Sequence, residues 1–316
     1  MEETLNSTPL QSLSSSSSSS SETTEPKHQN PSTSSSTPTP PPPSLTRLWR
    51  PAAQRNLRNQ WSKLASYRQQ WTSSSSSGRS HATSLVNSYL SQRYMNNMEL
   101  GVLSDMPDIR KKACRKLLKQ QELHRNRLLT SYKDMVGVVT HMVNTSRSMR
   151  CFLKGTSSSP LVQFSSYSED KSDNGDGGGI PVFTFWSISS FENLAEELVQ
   201  MFALELNLKR FLVVELLSIS SEEVPINELC WSDELYPGEF DDLNICSLYS
   251  KEACKPVLPK IKGWKSDSPT ERSNRQPGQE VLQVYLTSWL AEVNIDTYRV
   301  DEIFAVIGEE MHVTLS

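Results

Sequence analysis

Between residues 50 and 71 the apolar side chains return at the spacing of an α-helix: Leu57, Trp61, Leu64 and Trp71, with Tyr67 beside the line. Steps of four, three and seven place them on one stripe and leave the other faces to water. This stretch, RPAAQRNLRNQWSKLASYRQQW, holds five Arg or Lys and no carboxylate. Arg55, Arg58, Lys63 and Arg68 fall mainly off the stripe. The rings therefore read as packing and the cations as surface. Pro51 suits a first helical turn, where its missing N–H costs nothing.

A serine-rich break at Ser73–Ser77 is expected to end this helix, and a second covers His81 to Glu99 with Leu85, Tyr89, Leu90 and Met95 inward. Ser104 or Asp105 followed by Pro107 marks another start. From there to Leu153 no proline intervenes, and Ile109, Ala113, Leu117, Leu128, Tyr132, Met135, Val139, Met142 and Met149 mark apolar positions. The spacing predicts a long helix, or a helical pair bent at Gly137, of up to ~70 Å at ~1.5 Å per residue. Residues 155–180 are rich in Gly, Asp and Ser and read as a flexible linker. PVFTFWSI follows as a short extended or docking segment. Ser189 and Glu192 fit a capping box at the head of a helix running to about Ser218. Residues 221–277 are irregular; within them the rings of CWSDELYPGEFDDL are expected to cover a core while its carboxylates face water. Val281, Leu282, Tyr285, Trp289 and Val293 make one helical face; Val300, Ile303, Phe304 and Ile307 make another. Asn294–Thr297 is the turn of that helical hairpin. Strand signals are few, so the expected class is all-α, with long amphipathic helices in an elongated assembly.

Residues 11–44 are almost entirely Ser, Thr and Pro. Such a segment has little apolar surface to offset the entropy of ordering, so residues 1–44 are expected to be a disordered tail. Thr8, Thr37, Thr39, Ser159 and Ser268 each precede proline and lie in segments open to a proline-directed kinase. The remaining chain divides by charge. Pro26 to Lys154 carries 21 Lys and Arg against 5 Asp and Glu, whereas Gly155 to Ser316 carries 11 against 27. The formal net charge of −4 hides this polarity. The reading is a basic helical region at 45–154 and an acidic helical domain at 181–316, joined by the linker. The basic part can attract a polyanion and the acidic part would repel one.

Chemistry-bearing motifs are scarce. The five cysteines are scattered and form no C-x-x-C, which suits reduced thiols. The five histidines sit apart in sequence, GDGGG at 175–179 lacks the Lys of a P-loop, and no G-x-S-x-G or H-E-x-x-H occurs. Neither a catalytic centre nor a metal or cofactor site is expected. No secretory signal or apolar membrane span is read either. What remains is charge. Arg110, Lys111, Lys112, Arg115, Lys116 and Lys119 cover most of one helix side, a pattern shared by solvated helix faces, nuclear import signals and phosphate-binding surfaces. With Arg47, Arg50, Arg55, Arg58, Lys63 and Arg68 they form the candidate nucleic-acid-binding set. Such contacts position a protein on a backbone without reading sequence. Trp49, Leu57, Trp61, Leu64 and Trp71 form a candidate partner-binding stripe, with core packing favoured over base stacking.

The blocks LWRPAAQRNLRNQW (48–61), SLVNSYLSQRYM (84–95), LGVLSDM (100–106), IPVFTFWSISSFENLAEELV (180–199) and LQVYLTSWLAEVNIDTYRVDEIFAVIGEEMHV (282–313) resemble the plant multipolar spindle and recombination initiation defects family. The resemblance covers about residues 45–316. It implies a non-enzymatic accessory factor, located in the nucleus on meiotic chromosomes, that supports formation of meiotic DNA double-strand breaks together with the other break-machinery proteins. Through recombination it implies a bipolar spindle and correct chromosome segregation. The family pattern also places a further basic amphipathic segment before the LWRP block. Low-complexity Ser and Pro stand there instead; if that segment is where a partner docks, a shortened form with altered assembly is expected. A rival reading takes the same cations as a microtubule-binding surface, because tubulin is acidic.

Overall fold

Helix α1 runs from Pro43 to Met95 without interruption. It opens a fold whose computed structural model describes residues 43–95, 97–154, 161–163, 174–220, 229–263 and 277–315, with side chains described from Leu48 onward except at 153–154 and 161–163. The tail reading for residues 1–42 therefore lies outside the described residues. Pro51 is interior to α1 rather than in its first turn. The expected break at Ser73–Ser77 is helical too, and its small residues have a reason to be there. Ser75 is buried, and its carbonyl accepts from Trp289 Nε1 at 3.0 Å. A Cβ on Gly78 would stand 2.7 Å from the Trp289 ring. Serine and glycine here let a tryptophan reach the helix backbone.

Helix α2, Ile109–Arg147, returns antiparallel to α1. The direction is fixed by side-chain bonds whose partners run in opposite order: Asn56 donates to the carbonyls of Ser148 and Met149, Ser77 accepts from Ser131, and the Ser88 carbonyl accepts from Gln121. Its N-cap is Asp108, in a left-handed conformation and without a side-chain bond, not the Ser104 or Asp105 expected. Gly137 stays within the helix. A short antiparallel pair follows, β1 (Phe152–Lys154) with β2 (Leu161–Gln163).

Helix α3, Ile188–Leu217, is apolar on nearly all sides and is the central buried element. The expected capping box does not form. Ser187 is the N-cap, and the Glu192 carboxylate instead takes the Arg150 guanidinium at 2.7 and 3.0 Å. Next come α4 (Glu239–Ile245), the two-residue pair β3 (Tyr249–Ser250) and β4 (Lys255–Pro256), α5 (Gln279–Ala291) and α6 (Thr297–Met311). The last two are the predicted hairpin, with Leu282, Trp289, Val300, Ile303, Phe304 and Ile307 buried; Val281 and Val293 are exposed. The fold is all-α, the described strands amounting to two short pairs. None of the helices is long and apolar enough to cross a membrane.

Pro40–Ser316 forms one compact unit. The basic region and the acidic region are therefore not separate bodies, as the charge map suggested, but two contributors to one core. Trp61 meets Phe304 of α6 edge-on at 5.9 Å, and Trp71 meets Phe202 of α3 at 5.4 Å. Each such side chain taken from water contributes about 1.5–3 kcal/mol, which outweighs anything surface charges add. Part of the presumed linker also joins this core. Gly177, in a left-handed turn, lies so close to Trp49 that an added Cβ would fall 2.3 Å from its ring. Residues 155–160 and 164–173 of that segment lie outside the described residues.

Candidate nucleic-acid interface

The candidate side chains differ in fate between the two helices. On α1, Trp49, Leu57, Trp61, Leu64 and Trp71 are all buried, at 0–2 % exposure. The stripe proposed for partners or bases is covered by this chain's own helices, because α3 and α6 bring rings of matching size onto it. Trp49 also donates its indole N–H to the Cys151 carbonyl at 2.9 Å.

Several cations of α1 are likewise engaged. Arg50 donates to the carbonyls of Val182 (2.9 Å) and Phe183, and Gln54 joins it on Val182 at 2.7 Å. Arg58 stacks over the Phe183 ring at 5.0 Å and reaches the Met311 carbonyl at 3.3 Å. Arg68 pairs with Asp301 at 2.6 Å above the Phe304 ring. The loop these residues hold, PVFTFW, is gripped from the other side by Glu310. One of its carboxylate oxygens accepts from the successive backbone N–H groups of Thr184, Phe185 and Trp186 at 2.7–3.0 Å. Arg55 and Lys63 are exposed with no ion pair among the described residues. The side chain of Arg47 lies outside them.

On α2 the opposite holds. Lys111, Lys112, Arg115, Lys116 and Lys119 are exposed, and none has an ion pair among the described residues. Lys111, Arg115 and Lys119 stand on successive turns, ~6 Å apart along the axis, with Lys112 and Lys116 in the neighbouring row. Arg110 differs from them: it is half-buried and donates to the Met98 carbonyl at 2.6 Å. The first fully buried residue of α2 is Gln121, so the preceding three turns rest on α1 by a thin edge alone. This face gathers five of the predicted cations on one helix side; Arg55 and Lys63 on α1 are the others that are exposed without an ion pair among the described residues.

Sequence reasoning missed two buried ionic clusters. Arg210 on α3 binds Glu239 at 2.8 Å and caps the carbonyls of Trp231 and Asp233, while Tyr132 donates to the same Glu239 oxygen at 2.7 Å. Burial, and then the adjacent carboxylate, push the Tyr132 phenol well above its usual value. Glu239 was expected to face water. In the second cluster Lys209 sits between Glu205 (3.3 Å) and Glu292 (3.7 Å), and Trp71 and Ser75 of α1 donate to that Glu292 carboxylate. Burial pushes the Glu205 carboxyl up and the Lys209 ammonium down, each opposed by the partner's charge. The signal was available: charges inside a helix that is apolar all round must be paired.

His81 and His124, distant in sequence, face each other across α1 and α2 at 5.8 Å, and burial followed by nearby positive charge holds both below the usual imidazole value. Among the described residues no three His, Cys, Asp or Glu side chains are grouped as they would be around a metal ion. The five thiols are free, with Cys151 and Cys246 buried. Burial raises both, to about 12 and about 11. No protein-family model matches the chain, and no curated protein matches it.

Proposed function

We propose that this protein is a non-enzymatic accessory factor of meiotic double-strand-break formation that holds duplex DNA through the first three turns of α2. Five exposed cations on adjoining rows of one helix, without ion pairs among the described residues, carry the reading. The resemblance of the sequence blocks supplies the meiotic setting, with a nuclear location and break-machinery proteins as partners. The spindle effect follows from failed recombination rather than from a direct grip on microtubules.

Five phosphate contacts correspond to a salt slope of about −4.5 and a loss on the order of 500-fold in affinity between 50 and 200 mM salt. Replacing Lys111, Lys112, Arg115, Lys116 and Lys119 by Gln flattens that slope and weakens binding of a 30-base-pair duplex, read by fluorescence anisotropy. Unchanged affinity and slope overturn the DNA role. Co-sedimentation with microtubules in parallel separates the rival, which requires a pellet that depends on the same five residues. In a null plant, break foci in early meiosis are expected to be lost, and supplying breaks artificially is expected to restore spindle shape.

A further inference from the structure

The connection between α1 and α2 presents four large apolar side chains to water within nine residues. Val102 is 93 % exposed, Met98 56 %, Met106 52 % and Leu103 40 %. Contiguous apolar exposure of this kind marks an interaction site more often than an idle surface. The backbone that carries them is stitched into successive turns: Leu103 N–H to the Leu100 carbonyl, Ser104 to Gly101 and Met106 to Leu103, all at 3.0–3.1 Å. Arg110 ties the Met98 carbonyl back to the start of α2. The anchors are thus held before any ligand arrives, which lowers the entropy lost on binding.

We propose that this turn, with the adjoining cations Lys111, Lys112, Arg115 and Lys116, docks an acidic amphipathic helix of another protein. Apolar side chains followed in the chain by cations that have no ion pair among the described residues complement a helix whose apolar stripe is flanked by carboxylates. DNA matches the cations but offers no apolar partner to Val102 and Met106. An anionic lipid surface matches both, yet it would press its charge against Glu99, Asp105 and Asp108, all exposed on the same turn. A helix can set its carboxylates over α2 and keep them away from those three acids; a lipid surface cannot. The proposal goes beyond the DNA reading and does not need it, although the two ligands share cations and would compete.

The test uses the full chain and a fluorescein-labelled 20-residue peptide with leucines at helical i, i+3, i+4, i+7 spacing and glutamates flanking them. A second peptide has the same composition with the leucines scrambled. The patterned peptide is expected to bind at least tenfold more tightly than the scrambled one. Met98→Ser, Val102→Ser and Met106→Ser together are expected to remove that preference while duplex DNA affinity changes less than twofold. An unchanged melting temperature shows that the triple variant folds. Equal binding of the two peptides, or undiminished binding by the triple variant, overturns the proposal. So does capture by phosphatidylserine-containing vesicles that depends on the three apolar residues when the peptide is not bound. Failure of the DNA reading shows separately, as unaltered duplex binding by the five-Gln variant.

Discussion

The two basic stretches of this molecule have similar composition, yet most cations of the first are engaged, Arg55 and Lys63 excepted, and most of the second, Arg110 excepted, are not. On α1, Arg50, Arg58 and Arg68 are drawn onto carbonyls, rings and a carboxylate supplied by the acidic half. On α2, the five cations between Lys111 and Lys119 are exposed and have no ion pair among the described residues. The difference lies in what covers the apolar stripe beneath. Between Trp49 and Trp71 nearly every turn of α1 carries a buried residue, so α6 and the PVFTFW loop stand within reach of its long side chains. The first three turns of α2 have no fully buried residue, so among the described residues no carboxylate is brought onto these five cations. Whether a cation is free is decided by its neighbours' packing, not by its own sequence.

The largest expected effect tests that contrast directly. Replacing the five α2 cations by Gln lowers duplex affinity on the order of a hundredfold at 50 mM salt, in keeping with a slope of about −0.9 per phosphate contact. Replacing Arg50, Arg58 and Arg68 by Gln changes affinity less than about threefold on the same principle, because their guanidinium groups already have internal partners. Anisotropy titrations of both variants decide it. Equal losses would show that the two stretches act as one electrostatic surface and that the contrast is irrelevant to binding.

Next in size is a fully enclosed cation, Arg210. Glu239→Ala leaves the Arg210 guanidinium buried without its carboxylate, and breaking a buried pair in this way costs about 3–5 kcal/mol. Urea unfolding measures it. A cost under about 1 kcal/mol, the level of exposed pairs, would mean that water reaches the site and that enclosure does not distinguish Arg210 from the cations outside.

These cases show what could be read from the chain and what could not. The stripe Leu57, Trp61, Leu64, Trp71 and the hairpin faces of α5 and α6 were legible because burial follows helical periodicity. The α2 face was legible as a charge pattern. The serine run at 73–77 was misread, since serine is a poor helix former in isolation and its use here depends on Trp289, more than 200 residues away. The capping box at Ser189 and Glu192 failed for a similar reason: Arg150 supplies a stronger, charge-assisted partner for that carboxylate. Local pattern assigned the elements; tertiary approach decided which polar groups they keep.

Gly78 gives a third, smaller test of how α1 comes to be so closely covered. Gly78→Ala places a methyl against the Trp289 ring. Alanine's better helix propensity offsets up to about 1 kcal/mol, against about 1–3 kcal/mol for overpacking. A net destabilisation in urea is expected, removed when Trp289 is shortened to Leu in the same chain. A stabilised single variant would show that Trp289 has room to move and that small residues are not what admits it.

The smallest effect expected is at the exposed end of the α1 contacts. Arg68 and Asp301 form a 2.6 Å pair whose side chains keep 34 % and 65 % of their exposure. A pair in that much water is worth at most about 1 kcal/mol, and less as salt rises. A double-mutant cycle with Arg68→Met and Asp301→Asn is informative, because Met keeps an apolar stem over Phe304 while removing the charge. Coupling near zero at 0.5 M salt leaves the Trp61–Phe304 contact as what holds α6 against α1. Coupling above about 2 kcal/mol would mean instead that charge, not the apolar stripe, fixes α6, and the contrast between the two helices would then be one of ion pairing.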